Sequence, residues 1–97
     1  MHLGIYRFAG DPQELLPAYD RLMETMPTGG LLFHACVVEP DGIVIYDACP
    51  TEEAFRGFST NSKLAEAFAA AGLPQPTIGD GAVHNAFVGD TFRDAAA

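Results

Sequence analysis

The pattern of apolar and polar positions predicts a β-strand at the start of the chain, followed by a helix. Residues 2–9 read HLGIYRFA, and Asp11 can then cap a helix that has Pro12 at its first position. Pro17 must kink this helix or delay its start, and the sequence PTGG at 27–30 ends it. The apolar stripe of this helix consists of Leu15, Leu16, Tyr19, Leu22, Met23 and Met26.

A β-hairpin follows. Strands over about 31–38 and 43–48 flank residues 39–42, EPDG, which are typical of a tight turn. If Glu39 pairs with Gly42, His34 lies opposite Asp47, whereas a turn moved by one residue, so that Pro40 pairs with Ile43, places His34 opposite Cys49. Both registers keep the same side chains on the same face, because side chains alternate along a strand and partners across a hairpin share a face.

The alternation divides the hairpin into two faces. One face carries His34, Cys36, Ile43, Ile45, Asp47 and Cys49. The other carries Phe33, Ala35, Val37, Val44, Tyr46 and Ala48. We expect the second face to pack under the helices and the first to look into a space between the sheet and a second protomer.

The second half of the chain predicts an interrupted helix and a last strand. Thr51 can cap the helix, residues 59–62 (STNS) interrupt it, and Gly72 ends it. The strand covers about 82–88, or begins at 77 with a bulge at the glycines. The remaining residues 91–97 are expected to form a flexible tail.

The resulting order βαββαβ predicts an α+β, ferredoxin-like fold for a single domain over residues 1–90, with both helices on one face of an antiparallel sheet. The other sheet face would be bare and apolar. Hydrophobic residues make up 48% of the 97 residues and charged residues only 19%. A chain of this size has a thin core, so we expect the bare face to be buried in a homodimer.

The charge of the chain excludes several classes of partner. Thirteen acidic and five basic residues give a formal net charge of −8, which argues against nucleic acid and against an anionic membrane surface. No apolar run is long enough to span a membrane, and the first residues lack the layout of a signal peptide. A cytoplasmic location with two free thiols is therefore the expectation.

The candidate chemistry lies on the polar face of the hairpin. An aspartate beside an imidazole fixes its tautomer and raises its pKa, so His34 is a candidate general base that Asp47 orients. The alternative is a purely structural hydrogen-bonded pair. Tyr6 shares a face with Gly4, which would leave room for a ligand, although a core tyrosine fits equally well. The expected substrate-binding residues are Tyr6, Cys36, Ile45, Cys49, Phe55 and Phe58.

The two cysteines raise two further alternatives. A soft metal site could combine Cys36 and Cys49 with His34 and Asp47, but the paired spacing of structural zinc sites is missing. Cys49 could act as a nucleophile with His34 as its base, although nothing indicates an oxyanion hole. No glycine-rich loop or cofactor fingerprint occurs, so neither a metal nor a cofactor is expected.

Three segments resemble the dimeric α+β barrel superfamily, specifically proteins like the antibiotic-biosynthesis monooxygenases. These are residues 42–47 (GIVIYD), 51–58 (TEEAFRGF) and 83–85 (VHN). Where such proteins usually have a tryptophan this chain has Cys49, followed by Pro50 at the acidic position, and it contains no tryptophan. Haem degradation, which uses that tryptophan in related proteins, is therefore not expected.

The resemblance implies a homodimeric α+β barrel with an apolar pocket for an aromatic or polyketide-like compound. It also favours a place for His84 in that pocket, where it would polarise a carbonyl or take a second proton. The implied activity is a cofactor-independent monooxygenase or cyclase with His34, Asp47 and His84 as catalytic residues. The alternative is a non-catalytic small-molecule-binding or stress-related barrel protein.

Overall fold

The computed structural model describes residues 1–27, 29–89 and 91–94. In chain order the described elements are β1 (His2–Ala9), α1 (Pro12–Thr25), β2 (Phe33–Glu39), β3 (Gly42–Cys49), α2 (Glu52–Ser59), α3 (Ser62–Ala71), β4 (Thr77–Ala82), β5 (Asn85–Val88) and β6 (Thr91–Asp94).

Four of the strands form one antiparallel sheet in the order β2-β3-β1-β4, and β5 pairs with β6 in a separate two-stranded sheet. The first and third strands are central, so each buries a face rich in large apolar side chains. This confirms the predicted α+β class and its antiparallel sheet. The arrangement is compatible with a ferredoxin-like fold.

The helix ends follow the predicted capping residues. The Asp11 side chain accepts a hydrogen bond from the backbone N–H of Gln13, and Thr51 accepts one from Ala54 at the start of α2. Gly72 ends α3 in the left-handed conformation with φ of 91°. Pro17 does not delay α1, which begins at Pro12 and contains it.

The hairpin adopts the register that has Pro40 and Asp41 as its turn residues. Glu39 pairs with Gly42, and His34 therefore lies opposite Asp47, as one of the two predicted registers requires. A side chain at Gly42 would collide with the backbone carbonyl oxygen of Phe8 on the neighbouring strand β1. The glycine thus lets β1 and β3 approach closely at the end of the sheet.

The prediction about the two faces of the hairpin is wrong. Ile43 and Ile45 belong to the same buried cluster as Leu22 of α1, so the face that carries His34 and Asp47 is the one that packs against the helices. On the opposite face Phe33 is 49% exposed and Val37 is 41% exposed. The polar pair can face the helices because α1 supplies a hydrogen-bond partner for it, as described below.

The end of the chain differs from the prediction in two places. The expected strand over 82–88 is divided, because β4 ends at Ala82 and β5 begins at Asn85. The register between β1 and β4 runs without interruption from Thr77 to Ala82, so the glycines form no bulge. Within the expected tail, Thr91–Asp94 form β6, and 95–97 lie outside the described residues.

None of the helices in the described part of the chain combines the length and the apolar character needed to cross a membrane.

We predict that Gly42→Ala destabilises the fold by about 2 kcal/mol, because the added Cβ forces β1 and β3 apart. Gly57→Ala is the matched control, since its Cβ meets no atom within 4 Å and an alanine favours the helix α2 by about 0.5–1 kcal/mol. Urea unfolding followed by circular dichroism measures both. Equal effects of the two substitutions would contradict the close approach at Gly42.

Candidate functional site

His34 lies between Asp47 and Tyr19 and joins three elements of the fold. Its Nδ1 is 2.5 Å from Oδ1 of Asp47 on β3, and its Nε2 is 2.6 Å from the hydroxyl oxygen of Tyr19 on α1. The imidazole and the Tyr19 ring are nearly parallel, with an interplanar angle of 6° and centroids 6.0 Å apart. One side chain on β2 therefore ties the hairpin to the first helix.

The chemistry of the partners determines where the protons lie in this chain of hydrogen bonds. An ionised carboxylate only accepts, so Nδ1 of His34 carries a proton and donates it to Asp47. In the neutral imidazole Nε2 is then an acceptor, and the Tyr19 hydroxyl donates to it. This tautomer leaves Nε2 as the basic atom of the group.

Burial dominates the electrostatics of these residues. Asp47 is only 5% exposed, and burial raises the pKa of its carboxyl, while the hydrogen bond and charge of His34 act in the opposite direction. Burial also raises the pKa of Tyr19, with smaller contributions from the negative charges of Cys36 and of acidic neighbours. Tyr19 accordingly remains a protonated donor to the imidazole.

The hydrogen-bonded pair lies on the wall of a cavity between the sheet and the helices. The cavity measures about 30 Å³, which is enough for one or two water molecules. Its buried inner wall contains Tyr6, Leu22, Ile45, Asp47, Leu64 and Phe68, and its partly or fully exposed rim contains Met23, Met26, Pro27, Leu31, His34 and Phe58. The lining is therefore apolar except at Tyr6, His34 and Asp47.

Tyr6 lines this cavity and carries a buried hydroxyl. Within the described residues its oxygen is the buried side-chain polar atom that has no hydrogen-bond partner. Burial raises the pKa of Tyr6 far above its usual range, and the nearby negative charges of Asp47, Cys49 and Asp80 add to the effect. The phenol is therefore a neutral hydrogen-bond donor.

The structure brings some of the predicted site residues together and separates others. His34, Asp47, Tyr6, Ile45 and Phe58 all line the cavity. By contrast, three predicted binding residues and one predicted catalytic residue are not among its lining residues: Cys36, Cys49, Phe55 and His84.

The residues outside the cavity have identifiable surroundings. The Phe55 ring fills the space beside Gly4, with a ring atom 2.6 Å from where a Cβ would stand, so that space is not free for a ligand. Cys49 is buried in the hydrophobic core, and the partly buried Cys36 packs against the same core. His84 is exposed at the connection between β4 and β5.

The cysteines do not have the environment of a nucleophile. Burial raises the pKa of both thiols, and the charge of Asp47 raises that of Cys49 further. Both groups therefore stay in the unreactive thiol form at neutral pH. The predicted metal-ligand set around Cys36 and Cys49 is not among the clusters whose ligand atoms lie within 4.8 Å of one another.

A second polar network lies at the other end of β1 and was not foreseen from the sequence. Nε2 of His2 is 2.6 Å from Asp80, and the guanidinium of Arg56 donates to both carboxylate oxygens of Asp80 at 3.1 and 2.8 Å. Arg56 also donates to Glu52 at 3.2 Å. The hydrogen bonds from His2 and Arg56 hold the pKa of Asp80 below its usual range. This network ties α2 to β1 and β4.

Tyr19 is the site residue that the sequence reasoning missed. It was placed in the apolar stripe of α1, where its ring does lie, but its role as the partner of His34 was not recognised. The signal in the sequence was the hydroxyl of Tyr19 on the inward stripe of α1. If Asp47 binds one nitrogen of His34, the other nitrogen needs a partner, and a hydroxyl on the facing helix can supply it.

A larger groove lies on the opposite side of the sheet. It measures about 450 Å³ and is lined by Met1, Leu3, Leu32, Phe33, Ala48, Val83, Asn85, Ala86 and Phe87. Its volume is in the usual range for ligand sites. The side chains given for its lining within the described residues include no acidic, imidazole or thiol group.

No protein-family profile matches the chain, and no curated protein is significantly similar to it. Function must therefore follow from the chemistry of the residues that line the cavity.

We predict opposite effects of removing the two tyrosine hydroxyls from the site. Tyr6→Phe should stabilise the fold by about 1 kcal/mol, because a buried hydroxyl without a partner is costly. Tyr19→Phe should destabilise it by about 1 kcal/mol, because it removes the hydrogen bond to Nε2 of His34. Urea unfolding at neutral pH measures both, and a Tyr6→Phe variant less stable than the native chain would contradict the account of Tyr6.

Proposed function

We propose that the chain is a cofactor-independent enzyme of the antibiotic-biosynthesis-monooxygenase type, acting on an aromatic or polyketide-like compound. The observation that supports this proposal is the Asp47–His34 pair on the wall of an otherwise apolar cavity. Such a pair is a general base in a site that would receive a flat, hydrophobic compound.

In the proposed reaction Nε2 of His34 takes a proton from the compound while Asp47 stabilises the imidazolium that forms. Because the Tyr19 hydroxyl occupies Nε2, one of two routes is needed. Either the hydroxyl moves away from Nε2, or its oxygen accepts the proton of the compound while the hydroxyl proton moves to Nε2 of His34. In a cyclase the resulting enolate attacks a second carbonyl of the same compound. In a monooxygenase the carbanion of a CH₂ group reacts with O₂: one oxygen atom becomes the new carbonyl, and the other leaves as water with the two hydrogens.

The size of the cavity limits how the compound can bind. About 30 Å³ holds the reacting group alone, so the rest of the compound must lie at the rim. Met23 and Met26 form part of that rim, and methionine side chains adapt readily to a neighbour of different shape. We propose that displacement of these two side chains makes room for the ring system.

The proposed assembly is a homodimeric α+β barrel. It is supported by the apolar sheet face opposite the helices, on which Phe33 and Val37 are 49% and 41% exposed. A second copy packed on this face would also cover the groove beside β5. The cytoplasmic location stays a prediction, with which the free thiols of Cys36 and Cys49 are compatible.

A second candidate function is non-catalytic binding of a small molecule. Two observations favour it: both imidazole nitrogens of His34 already have partners in the protein, and the cavity beside them is small. In this case the Tyr19–His34–Asp47 chain serves stability alone, and the larger groove is the binding site.

We predict that His34→Gln and Asp47→Asn each lower turnover at least about 100-fold, because the first removes the general base and the second removes the carboxylate that orients it and stabilises its protonated form. There are two test compounds. With anthrone, an oxygen electrode measures the consumption of dissolved oxygen. With a linear poly-β-ketone, the absorbance of the product is measured. Asp41→Asn in the exposed turn of the same hairpin is the matched control and should keep full activity. Turnover that survives in both site variants would contradict a base at His34 and favour the second candidate.

We predict that Val37→Lys converts the dimer to a monomer, because it places a charge on the face proposed to be buried. Val38→Lys is the matched control, since Val38 is 55% exposed on the other face of the same strand and should leave the dimer intact. Light scattering after gel filtration gives the mass of each. A native chain that is monomeric at micromolar concentration would overturn the proposed assembly.

A further inference from the structure

The ring of Tyr6 is fixed in place by aromatic neighbours. It lies in edge contact with Phe58 and Phe68, at centroid distances of 6.5 and 6.4 Å, and is tilted against Phe55 at 6.5 Å. The residue is only 1% exposed. Its hydroxyl therefore cannot turn away to water, and its direction is set by the core rather than by a hydrogen bond.

The hydroxyl of Tyr6 differs from the other polar groups that line the cavity. Asp47 and His34 are hydrogen-bonded to each other, and Tyr19 satisfies the second imidazole nitrogen. Tyr6 has no partner among the described residues. A phenylalanine would fill the same space without the cost of an unpaired buried hydroxyl, so a partner beyond the described residues, such as a bound compound, would account for it.

We propose that the hydroxyl of Tyr6 binds the oxygen atom of the compound that enters the cavity, and that the site therefore selects uncharged compounds with a hydroxyl or carbonyl group. This inference rests on the proposed function, because it places the compound in the cavity beside His34. It assigns Tyr6 a specificity-determining contact and distinguishes the site from one that binds any apolar ring.

The electrostatics of the cavity restrict the charge of the compound. Asp47 lines the same wall, and the formal charge of the whole chain is −8, so an anionic ligand would be repelled. The raised pKa of Tyr6 keeps its phenol protonated, as a donor requires. As the compound loses its proton to His34, negative charge develops on its oxygen, and the hydrogen bond from Tyr6 becomes stronger.

The volume of the cavity agrees with a single oxygen-bearing group. About 30 Å³ accommodates one or two water-sized groups. An aromatic ring that carries the oxygen would lie between the methionine side chains of the rim. The contact with Tyr6 is then the deepest contact of the ligand.

The test compares two probes of similar shape, one with a hydroxyl group where the other has a methyl group. The probes are 4-fluorophenol and 4-fluorotoluene, and their dissociation constants are measured by ¹⁹F NMR with the native chain and with Tyr6→Phe. We expect Tyr6→Phe to weaken 4-fluorophenol about five- to tenfold and to leave 4-fluorotoluene unchanged. Tyr46→Phe, which removes a hydroxyl from the other face of the sheet, is the matched control and should change neither constant.

The location of the probes is read from the methyl resonances of the protein. Shifts at Ile45 and Leu64 report the cavity, and shifts at Leu3 and Leu32 report the groove. If both probes bind in the cavity and Tyr6→Phe changes neither dissociation constant, the role of Tyr6 is overturned and the proposed function stands. Shifts confined to the groove, or no binding of either probe, would overturn the proposed function together with this inference.

Discussion

The burial of Asp47 on the helix-facing side of β3 is the constraint on which the site depends. A carboxylate with 5% exposure is costly unless it is hydrogen-bonded, and His34 supplies the bond from the directly opposite position of β2. If the turn moved by one residue, so that Pro40 paired with Ile43, Cys49 would lie opposite His34 and the carboxylate would lose this partner. The pair therefore helps to fix the register of the hairpin, and Tyr19 extends the same chain of hydrogen bonds to α1.

Local signals in the sequence predicted the order of the elements as far as α3 and the sharing of faces in the hairpin, but not the separate strands β5 and β6. Helix caps and tight turns depend on a few consecutive residues, so they can be predicted directly from the sequence. This holds for the caps at Asp11 and Thr51 and for the turn after Glu39. Alternation shows which side chains share a face, but it does not show which face the helices cover. The hydroxyl of Tyr19 on α1 forms a hydrogen bond with His34, and this partner allows the polar face of the hairpin to be buried against the helices. Contacts across the sheet, such as the Phe55 ring beside Gly4, were equally out of reach of local patterns.

The groove and the smaller cavity differ in volume and in the side chains that line them. The groove of about 450 Å³ is large enough for a compound of several rings, yet the described side chains of its lining include no imidazole or carboxylate. The cavity of about 30 Å³ is lined by His34, Asp47 and Tyr6, and the Tyr6 hydroxyl has no partner in the described part of the chain. An enzyme built on this fold must bring its reacting group into the smaller space, which makes the flexible rim at Met23 and Met26 part of the proposed mechanism. A binding protein would use the groove and keep the smaller cavity closed.

The protonation of the His34 ring nitrogens tests the central claim most directly. Long-range ¹H–¹⁵N correlation spectra of the native chain at pH 8 distinguish a nitrogen that carries a proton from one that accepts a hydrogen bond. The account predicts a proton on Nδ1, toward Asp47, and an acceptor at Nε2, toward Tyr19. A proton on Nε2 would contradict it, because His34 would then have no basic atom available for a compound in the cavity.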